Sequence, residues 1–255
     1  MVIAKNIVKT FKLSRQQKRE MGDGFQGNTI DAVCDISFTC QPGRVFALLG
    51  PNGAGKTTAL RMIATMLKPT SGSISVAEYD TVAQSQAVRE NLGFLTGNTG
   101  LYDRLTPNEM VRYFADLHGM NSADYNTRRD HLFALLDMEA FANRRIGKLS
   151  TGMKQKVSIV RTIIHDPEVI VFDEPTAGLD VVTSRNIVHL IRDCRNAGKT
   201  VIFSTHRMGE VSLLSDDLAI IHKGQLQFNG TFEDFQNQMQ TPTLEDEFIR
   251  IVEDE

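Results

Sequence analysis

The chain has 255 residues, 41% of them apolar, enough for one large domain or for a core with a subdomain inserted in it. A formal net charge of −3 argues against a general nucleic-acid binder. The three cysteines, Cys34, Cys40 and Cys194, are scattered and odd in number; they show no metal spacing and no disulfide framework, and favour a reducing compartment.

Residues 2–9 and 33–39 read as short strands. Residues 12–28 between them are polar and rich in Gln, Lys, Arg and Gly, as in a surface loop or hairpin tip. Lys12, Arg15, Lys18 and Arg19 cluster there, either as a solvated face or as a contact for anionic lipid or a partner. The start, residues 1–6, lacks the long apolar core of a signal peptide. No run reaches the ~20 apolar residues of a membrane span, so a role at a membrane is expected to come through a partner.

The apolar run Val45-Phe46-Ala47-Leu48-Leu49 leads into Gly50-Pro51-Asn52-Gly53-Ala54-Gly55-Lys56-Thr57, and a helix follows over 57–67, closed by Lys68-Pro69. Strand, glycine-rich loop and helix start are the context in which G-x-x-x-x-G-K-[ST] binds phosphate. Backbone N–H groups and the helix dipole attract the anion, and glycines allow its close approach. Lys56 supplies a charge for the β- and γ-phosphates and Thr57 a hydroxyl for Mg²⁺.

A strand over 73–76 follows the turn Thr70-Ser71-Gly72. Thr106-Pro107-Asn108-Glu109 predicts a capped helix start, with Met110, Phe114 and Leu117 on one face and Gly119 at its close. Helices are expected over 128–136, 152–165 and 183–196, and buried strands over 169–172 and 200–204. Residues 218–221 and 225–228 read as a hairpin turned at Lys223-Gly224. From Leu244, the residues Phe248, Ile249 and Val252 suggest a packed terminal helix. The pattern is an α/β core, 1–96 and 158–230, interrupted by a helical insertion at 97–157 and followed by a helical extension over 231–255.

The run ending Phe172-Asp173-Glu174-Pro175 places two carboxylates at the end of a buried strand, the edge where a parallel sheet holds its ligands. Asp173 is suited to hold Mg²⁺ through water and Glu174 to orient or deprotonate an attacking water. His206, after the next strand, can bond a γ-phosphate oxygen and fix that water. Leu149-Ser150-Thr151-Gly152-Met153-Lys154-Gln155 opens a helix. Ser150 serves either as a plain cap or as part of a second anion site for another subunit's nucleotide, and spacing leaves both open.

Together these residues resemble the ATP-binding subunit of ABC transporters. Residues 149–155 look like that family's signature, Asp173-Glu174 its Walker B end with the catalytic glutamate, Ala177-Gly178-Leu179-Asp180 its D-loop, and His206 its switch histidine. The resemblance runs from about residue 2 to 228. It implies an α/β fold: a P-loop, RecA-like core, a small antiparallel β region and an inserted helical subdomain. It implies ATP and Mg²⁺, with Glu174, His206 and Lys56 catalytic, Thr57 and Asp173 at the metal, and the phosphates on Asn52, Gly53, Ala54, Gly55, Lys56, Thr57 and Thr58. Two copies, or this chain and a similar ATPase subunit, would pack head to tail, with Ser150 and Gly152 of one touching the γ-phosphate held by the other.

The family pattern is broken in places. Gly97, followed by Asn98, stands where the family has a glutamine, which puts metal coordination and coupling in question there. Thr151 replaces the first glycine of the signature pair. Phe11 stands in for the tyrosine that stacks on adenine, and a π-face suffices for that. Residues 50–58 and 100–106 look like the bacterial exporter branch, most of all its sodium-extruding type. That implies a membrane-spanning permease partner, a place at the cytoplasmic face of the membrane, and no nucleic acid. The alternative is a soluble ABC-type ATPase acting on ribosomes or DNA. A P-loop kinase or GTPase would lack Ser150–Gly152 and His206 in this order.

Overall fold

The structure is a computed structural model that describes residues 1–14, 16, 27–97 and 100–253. Its centre is a six-stranded sheet in the order β10-β9-β3-β8-β7-β6. Strands β3 (Val45–Leu49), β7 (Val169–Asp173) and β8 (Thr200–Thr205) are buried throughout, as the apolar, β-branched runs require. They run parallel with β6 (Leu92–Leu95) and β9 (Asp217–His222), while β10 (Gln225–Thr231) returns antiparallel through the Lys223-Gly224 turn. Both turn residues take positive φ, 44° and 81°.

Alternate residues of the central strands enter different cores. Val45, Ala47, Leu49, Ile170 and Phe172 pack with the helices α3 (Pro107–Leu117), α4 (Ser122–Leu135) and α5 (Thr151–Ile163), which lie in the chain between β6 and β7. Phe46, Leu48, Val169 and Val171 pack on the other side. There they meet α1 (Lys56–Ile63) and an antiparallel sheet, β2-β1-β4-β5, built from β1 (Val2–Lys12), β2 (Thr29–Cys40), β4 (Ser71–Val76) and β5 (Tyr79–Asp80). Against β6, the outermost strand, α5 comes so close that a Cβ on Gly93 would stand 2.5 Å from the Thr162 carbonyl oxygen.

Several expectations shift. The helix expected over 57–67 ends at Ile63, because Thr65 turns left-handed at φ 61° and Met66 N–H bonds back to the Arg61 carbonyl at 2.9 Å. The strands are longer than read: Lys12 belongs to β1, paired with Thr29, and is not part of a loop. Arg15, Lys18 and Arg19 lie outside the described residues. Leu117 is 62% exposed, off the buried face that Met110 joins. The capping box of Thr106 and Glu109 forms as expected. The seven-residue helices α2 (Ser85–Asn91) and α7 (Met208–Leu214) had no counterpart in the sequence reading, whereas α6 (Val181–Asn196) and α9 (Leu244–Glu253) did, and α8 (Phe232–Gln238) falls in the extension over 231–255. Among the described residues no helix is long and apolar enough to cross a membrane.

Candidate functional site

Strand register assembles the site. Leu49 pairs with Thr205 and Asp173 with Ser204, so Gly50, Glu174 and His206 leave the sheet side by side. The loop from Gly50 folds over to the start of α1, where Gly55 is the N-cap at φ 109°. A side chain at Gly55 is excluded twice, by that backbone and by the Ala32 carbonyl oxygen 2.4 Å from where a Cβ would be. Residues 52–58, Ala32 and Glu174 line a cavity of about 150 Å³. A larger groove of about 880 Å³ between α6, α7 and α9 includes none of residues 52–58 and borders this chemistry at His206, Thr176 and Glu210. Volume is therefore a poor guide here; the converging polar groups mark the small cavity.

Lys56 opens α1 and is 5% exposed. Its Nζ donates to the carbonyls of Gly50 at 2.7 Å and Pro51 at 3.0 Å and lies 4.0 Å from Glu174 Oε1. Burial pushes its ammonium below the ordinary lysine range, and Glu174 and Asp173 oppose that shift. Thr57 Oγ1 donates to Asp173 Oδ1 at 3.1 Å, and Ser204 Oγ donates to the same oxygen at 2.6 Å. A hydroxyl and a carboxylate in contact are hard oxygen donors of the kind Mg²⁺ takes, with phosphate and water oxygens filling the other positions. No group of three or more His, Cys, Asp or Glu among the described residues could hold a metal by itself. The pair therefore fits a metal that arrives with phosphate.

Glu174 takes the left-handed conformation at φ 49°, unusual for a residue with a side chain. Its N–H donates to Ser204 at both the carbonyl, 3.2 Å, and Oγ, 3.0 Å. His206 Nδ1 lies 3.1 Å from Glu174 Oε1. Behind them a buried carboxylate, Glu210, accepts from Thr205 Oγ1 at 2.8 Å and from Thr176 Oγ1 at 2.5 Å. Ser204, Glu210 and Ala32 were not singled out from the sequence. The only signal was Ser204-Thr205 ending a buried strand, and their partners are distant in the chain.

Other expected residues stand apart. Ser150 is exposed, caps α5 by accepting from Met153 N–H at 3.3 Å, and does not line the cavity; neither does Gly152. A Cβ on Gly152 would meet Thr183 Oγ1 at 3.4 Å, so the starts of α5 and α6 lie side by side. Asp180 caps α6, accepting from Thr183 N–H at 2.9 Å. Phe11 is 38% exposed on β1, away from the cavity lining, with Lys9 Nζ 5.2 Å from its ring centroid. Its cross-strand partner Ile30 is two residues from Ala32. Among the described residues nothing lies within 4 Å of a Cβ built on Gly97; Asn98 lies outside them.

Residues 33–177 match the family described as ABC transporter. The ABC transporter ATP-binding protein NatA of Bacillus subtilis is 45% identical over 205 residues, covering 80% of this chain and 83% of that protein. A solved ATP-binding subunit of an ABC transporter superposes with a TM-score of 0.85 at 25% identity, covering 98% of this chain and 99% of the other. The ATP-binding cassette MJ0796, solved as a dimer in a post-hydrolysis state with ADP and Pi, gives 0.79 at 25% identity, covering 91% and 98%.

Proposed function

This chain belongs to the ABC transporter family as an ATP-hydrolysing, ATP-binding subunit, and from that premise we propose how its residues divide the work. Two copies clamp MgATP, the glycine loop of one against the Ser150-led helix start of the other. Asn52, Gly53, Ala54, Gly55, Lys56, Thr57 and Thr58 hold the phosphates, and Phe11 stacks on the adenine. Thr57 and Asp173 would hold Mg²⁺, which when bound neutralises charge on the β- and γ-phosphate oxygens. Glu174 takes the proton of the attacking water, and His206 fixes that carboxylate and the water. The observation that carries this is Glu174 Oε1, 4.0 Å from Lys56 Nζ and 3.1 Å from His206 Nδ1, beside the Thr57–Asp173 pair. A separate copy for Ser150 and Gly152 is supported by neither residue lining its own chain's cavity and by the dimeric cassette above.

The same proposal divides the chain into a nucleotide core (1–96 and 158–230), a helical subdomain (97–157) and an extension (231–255). It puts the protein at the cytoplasmic face of a membrane, driving a separate membrane-spanning exporter subunit. The likeness of residues 50–58 and 100–106 to the sodium-extruding branch supports sodium as cargo. The test is Glu174→Gln with ATP on a sizing column. We expect an ATP-bound dimer that hydrolyses roughly 10²–10⁴-fold more slowly. Wild-type turnover in that variant, or ATP held by a lone copy, overturns the assignment.

A further inference from the structure

The left-handed turn at Glu174 is fastened on several sides. Ser204 holds its N–H from β8 within the sheet, and Ala177 N–H closes the turn locally on the Glu174 carbonyl at 3.2 Å. Thr176 Oγ1 ties the turn to Glu210, and a further tie comes from α5: Gln155 Nε2 donates to the carbonyl of Pro175, the next residue, at 3.0 Å. Gln155 sits five positions beyond the cap Ser150, on one rigid helix. The far end of that helix is also anchored. Arg161, 7% exposed, donates from Nη1 to the Gly100 carbonyl at 3.1 Å, its guanidinium 5.0 Å from the Phe114 ring centroid.

We propose that Gln155 is a positioning residue: it links the start of α5 to Glu174 of its own chain, so that seating Ser150 and Gly152 on a second copy's nucleotide sets the carboxylate that hydrolyses the first. This rests on the two-copy clamp proposed above. A helix transmits displacement along its axis with little loss, because each turn is bonded to the next. A carboxylate misplaced by a fraction of an ångström loses much of its catalytic value. Each site would then report to the other through one amide, and turnover would depend cooperatively on ATP.

The test uses the full chain, with ATP as ligand. Gln155→Leu removes the donor, whereas Gln155→Lys keeps an N–H donor of similar reach. For Gln155→Leu we expect unchanged ATP affinity by calorimetry, a kcat about tenfold lower and a Hill coefficient of about 1 where the wild type exceeds it. Gln155→Lys should recover most of the kcat. The double variant with Glu174→Gln should still dimerise on ATP. Unchanged kcat and cooperativity in Gln155→Leu overturn the link alone, as does a loss of kcat that tracks a lowered melting temperature and is not recovered by Lys. Failure of Glu174→Gln itself to dimerise overturns the clamp and the link with it.

Discussion

Glu174 Oε1 and His206 Nδ1 stand 3.1 Å apart, one residue beyond the ends of adjacent parallel strands β7 and β8. Each follows the last residue of a buried strand, so the register of the sheet brings the two side chains together. The contact also orients the carboxylate that lies 4.0 Å from Lys56 Nζ.

His206→Ala removes that orienting contact while leaving the phosphate loop intact. ATP binding should stay within about twofold of wild type and kcat should fall roughly 10–100-fold. Stopped-flow binding together with steady-state turnover separates the two. A fall in affinity that matches the fall in kcat would place His206 in ground-state binding instead.

Gly55→Ala should abolish ATP binding and lower stability. The residue takes φ 109°, and the new methyl would press into the Ala32 carbonyl oxygen at 2.4 Å. Backbone strain alone costs about 1–3 kcal/mol. Thermal melting and calorimetry with ATP would show both effects, and a variant that binds ATP normally would mean the loop has another conformation.

Gly97→Gln should leave the fold untouched, since nothing among the described residues lies within 4 Å of its Cβ. Its effect on stability should stay within about 0.5 kcal/mol. The informative measurement is transport coupled to ATP turnover with the proposed membrane subunit. Increased coupling would show that glycine here weakens a link the family makes with glutamine, and unchanged coupling would show that the departure is silent.

Acid should destabilise the protein through His165. Its ring stacks on His118 with centroids 3.7 Å apart, and burial, helped by His118, pushes its pKa down to about 3. The unfolded chain takes up that proton near pH 6.5, whereas the folded chain resists it. The stability from the neutral ring is therefore complete above pH 6.5 and is lost as the pH falls from there towards 3. Between pH 7 and 5 the loss should be up to about 2 kcal/mol in urea denaturation. In His165→Phe the slope should flatten; the same slope in both proteins would assign acid lability to other groups.

Residues whose role is local were legible in the sequence. The phosphate loop, the Thr106 capping box and the Lys223-Gly224 hairpin are each fixed by neighbours within a few positions, so residue type and spacing identify them. Asp173 and Glu174 could be read because a buried parallel strand must end at the ligand edge. Ser204, which secures both, could not, because its contacts join strands 31 and 30 residues apart in the chain. The early end of α1 was hidden for a different reason: Thr65 is β-branched, and nothing in such a residue announces a left-handed turn. Leu117 follows the apolar stripe of α3 yet is exposed, because periodicity gives a direction and not what lies there. The link from Gln155 to Pro175 joins two motifs that the sequence shows only separately.

The bare backbone of Gly93 has a mechanical meaning. There α5 rests on a strand with a neighbour on one side only, and the Thr162 carbonyl would stand 2.5 Å from any Cβ added. A contact that narrow leaves no room for a methyl, so the depth at which α5 sits on the sheet edge is set by a missing side chain. Any side chain at Gly93 must therefore lift the helix or bend the strand, and the helix so lifted is the one that carries both Ser150 and Gln155.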